Sequence, residues 1–158
     1  MNLSRRDFLL ASIACIFVLP QVLYSKSASK TTSITKSRSK VLLRLAKCIA
    51  EVETGQNDDA VGRAGERSKY QISRIVWEQH FPGRAFIECY GINADECAIK
   101  HLSWLKQNLP RNNHFWVVYA WNAGLTNTRI AMSKAITYPS SYEFAEHVEN
   151  LYNDRNFK

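Results

Sequence analysis

Apolar residues in the stretch 41–54 recur at steps of three and four, the spacing of one face of an α-helix. Glu53 lies in line with this apolar stripe, whereas Glu51, about 200° away around a helix, faces elsewhere. Gly55 follows directly and predicts the end of the helix in a left-handed turn. One carboxyl group is therefore expected at the end of an apolar helix face, whose other members are Leu42, Leu45, Ala46, Ile49 and Val52.

The following residues also show helical patterns, and no strand pattern is strong. The stretch 113–124 is almost wholly apolar, so its helix should be buried at the centre. Tyr70–Ile72 and the turns before it predict a small irregular or β-like lobe. The fold class expected is mainly α, a compact helical domain. The further helices are predicted over 74–81, 94–109, 113–124, 128–136 and 142–152. Their N-caps are predicted at Ser73, Asn93, either Thr126 or Asn127, and Ser140.

The first 28 residues have the character of an export signal. Arg5 and Arg6, followed by Phe8 and Leu9, resemble the twin-arginine motif, with general secretion as the alternative. The apolar run that follows is shorter than the roughly 20 residues of a transmembrane helix, although an uncleaved leader would act as an anchor. We therefore divide the chain into 1–28 (export signal), 29–40 (flexible basic Ser/Thr/Lys linker) and 41–158 (the domain), and expect the periplasm or cell envelope as its location.

The formal net charge of +7 is unevenly distributed along the chain. Residues 1–28 carry +2 and residues 29–40 carry +4, which leaves the domain at +1. Nucleic-acid binding by the domain is therefore not supported, while the linker should be weakly attracted to anionic surfaces. The four histidines are scattered without ligand spacing, so we predict no metal site and no cofactor.

Three cysteines follow the leader, an odd number that leaves at least one thiol unpaired within the chain. Cys89 and Cys97 are close enough in sequence to form a bridge in an oxidising compartment. Cys48 falls on the apolar side of the first helix and is expected in the core. A twin-arginine substrate folds before export, so its fold should not depend on a disulfide.

Glu53 combines two features that raise the pKa of a carboxyl group. It is partly desolvated, and it lies at the negative end of a helix dipole. A carboxyl group that is still protonated near neutral pH is what a general acid requires. The alternative interpretation is a solvated residue at a helix boundary.

Four segments, in order, resemble the lytic transglycosylases of the lysozyme-like superfamily. Ile49–Thr54 is similar to the helix-end Glu-Ser/Thr signature, and Gly65–Ile72 to the Gly-x-x-Gly-x-x-Gln segment. Ala98–Leu105 resembles the bundle helix with a Tyr/His-Leu-x-x-Leu pattern, and Ala120–Gly124 the Ala-Tyr-Asn-Ala-Gly motif. The resemblance implies a lysozyme-like fold and an enzyme that cleaves peptidoglycan.

The resemblance also implies roles for individual residues. Glu53 would be the single catalytic acid/base, and Gln71 would hydrogen-bond an N-acetyl sugar, with Tyr70 and Trp121 beside it. Asn122 would hold backbone near the acid, and Gly124 would allow a close turn. Other interpretations remain for three of them: Gln71 as a loop-stabilising amide, Trp121 as core, and Asn122 with Gly124 as a helix stop.

The chain departs from the family pattern at two positions. Ser68 replaces the second Gly of the loop, and Trp121 replaces the usual Tyr, whose hydroxyl an indole cannot imitate because it is a donor only. We expect a loop of different shape and altered efficiency or specificity.

Most glycosidases use two carboxylates, and the candidates for a second are Asp58, Asp59 and Glu66. The aspartates lie in a polar turn, and Glu66 is expected to pair with Arg63 or Arg67. A single-carboxylate reaction that yields 1,6-anhydromuramyl ends fits better. The alternatives are a hydrolytic lysozyme-like muramidase, a non-catalytic peptidoglycan-binding module, or a structural helix bundle. The partner expected is the glycan strand, bound by a monomer.

Overall fold

The structure is a computed structural model that describes residues 28–157, with side chains from residue 40 onwards. Almost all of the predicted export signal therefore lies outside the described residues. Within 28–157 the chain is helical and forms no strand, as the predicted mainly α class requires. The helices are α1 (Ala28–Thr54), α2 (Arg74–His80), α3 (Gly91–Asn108), α4 (His114–Ala123), α5 (Leu125–Lys134) and α6 (Pro139–Asn153), with a short 3-10 helix over Phe86–Glu88.

Helix α1 is longer than the sequence pattern predicts. The stretch 29–40, predicted to be a flexible linker, is its N-terminal part. The prediction rested on polar composition, but this stretch contains no Pro or Gly to interrupt a helix. Once the packed stretch 41–54 has nucleated the helix, each further residue costs little to add.

Helix α4 lies at the centre of the domain, as its apolar sequence predicts. It packs against α3, α5 and α6, while α1 packs against α3 and α6. Val117, Val118, Tyr119 and Ala120 are almost completely buried, and the Tyr119 hydroxyl accepts a hydrogen bond from the Tyr138 amide at 2.6 Å. The C-terminal half of α1 contributes further fully buried side chains, which include Leu45, Ala46 and Ile49. The apolar stripe predicted on this helix thus fixes its C-terminal end against the core.

The predicted N-cap is confirmed only for α2, where the Ser73 hydroxyl accepts from the Val76 amide. Helices α3, α5 and α6 begin earlier than predicted, so Asn93, Thr126, Asn127 and Ser140 lie inside their first turns. Two of these side chains bond elsewhere: Asn93 donates to the Glu88 carbonyl and Asn127 to the Ala123 carbonyl. At α6 the first helical position is taken by Pro139, whose fixed φ favours that place.

A single side chain joins the first helix to the end of the described chain. The Arg44 guanidinium donates to the backbone carbonyls of Tyr152 (2.9 and 3.1 Å), Asp154 (2.7 Å) and Phe157 (3.0 Å). It also lies over the Tyr152 ring, 5.4 Å from its centroid. Helix α1 is therefore fixed to the segment that follows α6 by charge-assisted bonds as well as by packing.

All three cysteines after the leader are buried and free, so the structure contains no Cys89–Cys97 bridge. Burial raises the pKa of the Cys89 thiol to about 11 and that of Cys97 to about 12. They are therefore neutral core thiols at physiological pH. Cys48 lies in the core, as predicted. None of the helices between residues 28 and 157 has both the length and the apolar character that crossing a membrane needs.

Candidate active site

The C-terminal end of α1, the irregular segment 55–73, and helices α2, α3 and α4 surround a cleft of about 660 Å³. Glu53 lies in this cleft, and so do four of the five residues predicted to bind substrate. These four are Gln71, Trp121, Asn122 and Gly124. The fifth, Tyr70, lies elsewhere. Two distant parts of the sequence, at residue 71 and at residues 121–124, are thus brought to one carboxyl group.

Glu53 occupies the last turn of α1, which Gly55 ends with a left-handed φ of 61°. Burial raises the pKa of its carboxyl group to about 7. A polar interaction with the Trp121 indole partly opposes this rise, and the negative charge of Glu66 adds to it. The expected rise in pKa is confirmed for desolvation, which is its main cause, whereas the helix dipole that was also expected to contribute is not among the causes. Near neutral pH the group can give a proton and take it back.

The segment 55–73 is held by backbone hydrogen bonds rather than by regular structure. Arg67 and Ile72 exchange two of them, at 3.0 and 2.9 Å, across a tight turn. Ser68 (φ 67°) and Gln71 (φ 50°) are both left-handed within that turn. The backbone of Ser68 is therefore left-handed, a conformation that glycine adopts more readily than serine. The serine side chain does not prevent this φ.

Gln71 contributes to the turn as well as to the cleft. Its backbone N–H and its side-chain Nε2 both donate to the Ser68 carbonyl, at 3.0 and 3.1 Å. The loop-stabilising interpretation is therefore correct for the amide nitrogen. The amide oxygen lies beside Gly62, where it can accept a hydrogen bond from a ligand in the cleft.

Glu66 lines the same cleft as Glu53, so it is the one of the three candidates for a second carboxylate that the fold brings to the site. Its Oε2 accepts from the Ala64 amide at 3.1 Å. The predicted pairing with Arg63 or Arg67 is wrong: the ion pairs of the described residues include neither. The flanking charges suggested a paired surface residue, but the turn directs this carboxylate inward.

Tyr70 does not line the cleft, which corrects its predicted role in substrate binding. Only 2% of its surface is exposed, and its hydroxyl donates to Asp95 at 2.8 Å. Lys69 also bonds Asp95, at 2.9 Å, so the pair anchors the segment to α3. Tyr70 and Gln71 are adjacent in the chain, but their side chains lie on opposite sides of the segment. Tyr70 packs in the core, whereas Gln71 lines the cleft.

The opposite wall of the cleft is aromatic and helical. Trp104 stacks on His101 with ring centroids 5.5 Å apart, and Trp121 contacts His101 edge-on at 5.4 Å. Trp121 is half-buried and faces the cleft, so it is not purely a core residue. No site role was predicted for His101 or Trp104 from the sequence. Their spacing of three residues on α3 places them on one helix face and is the signal that was available.

Asn122 and Gly124 lie where α4 ends. The Asn122 Oδ1 accepts from the Ser141 hydroxyl at 2.7 Å and thus links α4 to α6, which differs from the expected hold on backbone near Glu53. Gly124 has φ 79° and ψ 154°, a region that only glycine adopts readily. It lets α5 follow α4 without an intervening loop, as the predicted close turn requires.

Compared with protein-family models, with curated proteins and with solved structures, the chain matches none of them. The function has to be argued from the site itself. In the described part of the chain, no three His, Cys, Asp or Glu side chains are grouped so that they could hold a metal ion. The titratable side chains that line the cleft are Glu53, Glu66 and His101, and hydrogen-bonding and aromatic groups surround them.

Proposed function

We propose that the protein is an exported peptidoglycan-cleaving enzyme of the lytic transglycosylase type, with a lysozyme-like fold. It cuts the MurNAc–GlcNAc β-1,4 bond with Glu53 as its single acid/base and leaves 1,6-anhydromuramyl ends. The observation that carries the proposal is the half-buried Glu53 carboxyl, with a pKa raised to about 7, in a cleft bordered by Gln71 and Trp121. The resemblance of four ordered motifs supports it.

In the proposed reaction, the neutral Glu53 carboxyl protonates the glycosidic oxygen as the bond to the anomeric carbon breaks. The acetamido group of the muramyl sugar stabilises the developing positive charge. The Glu53 carboxylate then takes the proton of the sugar's own C6 hydroxyl, whose oxygen closes the anhydro ring. Glu53 ends the cycle protonated, so neither water nor a second protein base is consumed.

Glu66 favours a second outcome, hydrolysis by a muramidase. Glycosidases that hydrolyse commonly flank the bond with two carboxylates, one of which activates a water molecule. Glu66 lies in the cleft with Glu53, and its backbone-bonded carboxylate has no cationic partner among the described residues. The two outcomes share Glu53 as the acid and differ in what attacks the sugar.

Mass spectrometry of the soluble products from purified sacculi tests the proposal. Anhydromuramyl ends are expected from the unaltered protein, and reducing ends would indicate hydrolysis. Glu53→Gln should lower turnover by a factor of about 10²–10⁴ because the substituted side chain cannot transfer a proton. Glu51→Gln is the matched control, since Glu51 is exposed and does not line the cleft.

Two other results would contradict the proposal. If Glu53→Gln cleaves as well as the unaltered protein, Glu53 is not the acid. If sacculi are bound but no muropeptide is released, the protein is a wall-binding module.

Cell fractionation with Arg5 and Arg6 replaced by lysine tests the proposed twin-arginine route, and the expected result is retention in the cytoplasm.

A further inference from the structure

Two histidines from different helices form a hydrogen-bonded pair at the cleft. His80 is the last residue of α2, and His101 lies in the second half of α3. Nε2 of His80 and Nδ1 of His101 are 3.0 Å apart. His101 is only 7% exposed, and it is one of the residues that line the cleft.

The aromatic wall determines which part of the His101 ring remains available. Trp104 stacks almost parallel to the ring, with 15° between the planes, and Trp121 contacts it edge-on. Nδ1 is taken by His80, whereas Nε2 has no protein partner among the described residues. Nε2 is also not one of their buried unpartnered atoms, which are limited to Asp58 Oδ1. This nitrogen is therefore accessible, and its residue opens to the cleft.

The pair is neutral at physiological pH. Burial lowers the pKa of His101 to about 4, with a further contribution from His80. Burial and the charge of Lys100 lower the pKa of His80 as well. A neutral imidazole has one donor and one acceptor nitrogen, so one ring must donate to the other across the 3.0 Å contact.

The direction of this hydrogen bond decides what His101 presents to the cleft. A neutral imidazole in water prefers to carry its proton on Nε2. If His80 Nε2–H donates to His101 Nδ1, both rings keep that preferred form. His101 then has an N–H at its accessible Nε2. His80 thus fixes the tautomer of His101.

We propose that His101 is a further substrate-binding residue, whose Nε2–H donates to an oxygen of the bound N-acetylated sugar, and that His80 is its positioning residue. The inference rests on the function proposed above. An uncharged donor set between aromatic rings suits a neutral, polar ligand. The acetamido carbonyl is the strongest acceptor that such a sugar offers. No proton is transferred in this step.

Binding of the hexamer of N-acetylglucosamine, measured by calorimetry in the Glu53→Gln background, tests the role of His101. His101→Phe keeps an aromatic ring but removes the donor, so it should raise Kd about threefold to tenfold. His101→Gln can place an amide N–H near the position of Nε2 and should recover most of the affinity. His114→Phe is the matched control, because His114 packs on Tyr152 away from the cleft.

A second measurement tests the positioning role of His80. The ¹⁵N shifts of the imidazoles should show His101 protonated on Nε2 in the unaltered protein. His80→Leu should reduce the Nε2–H population of His101 to the weaker preference of a free imidazole and weaken hexamer binding, and His80→Gln, which retains a donor, should restore both. A packing role alone would not change the tautomer.

The inference is overturned if folded His101→Phe binds the hexamer as tightly as the background protein, or if His101 carries its proton on Nδ1. Intact binding by His101→Phe together with loss of turnover in Glu53→Gln would leave the proposed function standing. A background protein that binds no glycan would count against the proposed function and this assignment together.

Discussion

The two walls of the cleft are built in different ways. The segment 55–73 positions Glu66 and Gln71 with backbone hydrogen bonds and left-handed residues, and it contains no regular structure. The opposite wall positions His101, Trp104 and Trp121 on α3 and α4 by packing rings against one another. Loops are suited to directing polar groups, and packed helices to holding apolar surfaces. Glu53 belongs to a helix but faces both walls, and it is affected by groups from each.

This difference predicts how the stability and activity of the protein respond to substitutions in each wall. The helical wall should be sensitive to changes that strain its backbone or its packing, with loss of stability. The segment 55–73 should be sensitive to small changes that move polar side chains, with loss of activity but little loss of stability. Four substitutions examine this contrast, from the largest expected effect to the smallest.

Gly124→Ala strains the turn between α4 and α5. A Cβ meets no atom within 4 Å, so the cost arises from φ 79° and ψ 154° alone. We expect a loss of up to about 3 kcal/mol in the free energy of unfolding, measured by urea denaturation. Gly83→Ala, at φ 82° outside the cleft, is the control. Gly83→Ala should also lose stability but should keep glycan binding. If Gly124→Ala leaves the free energy of unfolding unchanged, this turn can relax.

Glu53→Gln should change the pH dependence of stability. The pKa of Glu53 is about 7 in the folded protein against an ordinary value of 4.5. Between these values the folded state keeps a proton that the unfolded state has released, so stability falls as pH rises through that window. Relative to the unaltered protein, Glu53→Gln should gain about 1–2 kcal/mol from pH 4.5 to 8. Parallel Tm curves for the two proteins would contradict the raised pKa.

Gly62→Ala should disturb the polar wall selectively. The added Cβ would come within 2.5 Å of Gln71 Oε1 and would also collide with Glu66 Oε2. Both are ends of flexible side chains, so they can move at little cost in stability but lose their positions. We expect about tenfold lower turnover, equivalent to about 1.4 kcal/mol. Val61→Ala, at an exposed neighbour, should leave turnover unchanged. A large drop in Tm for Gly62→Ala would mean that the wall is stiffer than its contacts indicate.

Ser68→Gly should be mildly stabilising. It removes a Cβ from a residue at φ 67° and loses the polar contacts of the Ser68 hydroxyl, which are a long hydrogen bond from the Tyr70 amide at 3.3 Å and a contact with the Cys89 thiol. Relief of the left-handed conformation should exceed the entropic cost of glycine, with a net gain below about 1 kcal/mol. Ser103→Gly, which lies within α3, should instead lower the stability. A loss of stability at Ser68 would show that the buried hydroxyl matters more than the backbone.

The helical parts of the fold could be predicted from the sequence, because each depends on a local periodicity. The stripe that includes Ile49 placed Glu53 correctly, and the apolar run 113–124 gave the central helix. The missed N-caps have another cause: side chains such as Asn93 bond to residues outside their own helix, and no local pattern shows this. The inward direction of Glu66 depends on the turns at Gly62 and Gly65. The pairing of His80 with His101 depends on how α2 packs on α3.

The hydrogen bonds from Arg44 to backbone carbonyls of residues 152–157 have a consequence for when α1 can pack during synthesis. These partners lie 108 to 113 positions later in the sequence. While a ribosome is still making residues 55–151, the guanidinium has none of these acceptors, and α1 lacks the layer that α6 provides. The helix that bears Glu53 should therefore reach its final place only after Phe157 has emerged from the exit tunnel. Nascent chains stalled before that residue should be far more sensitive to protease than released ones.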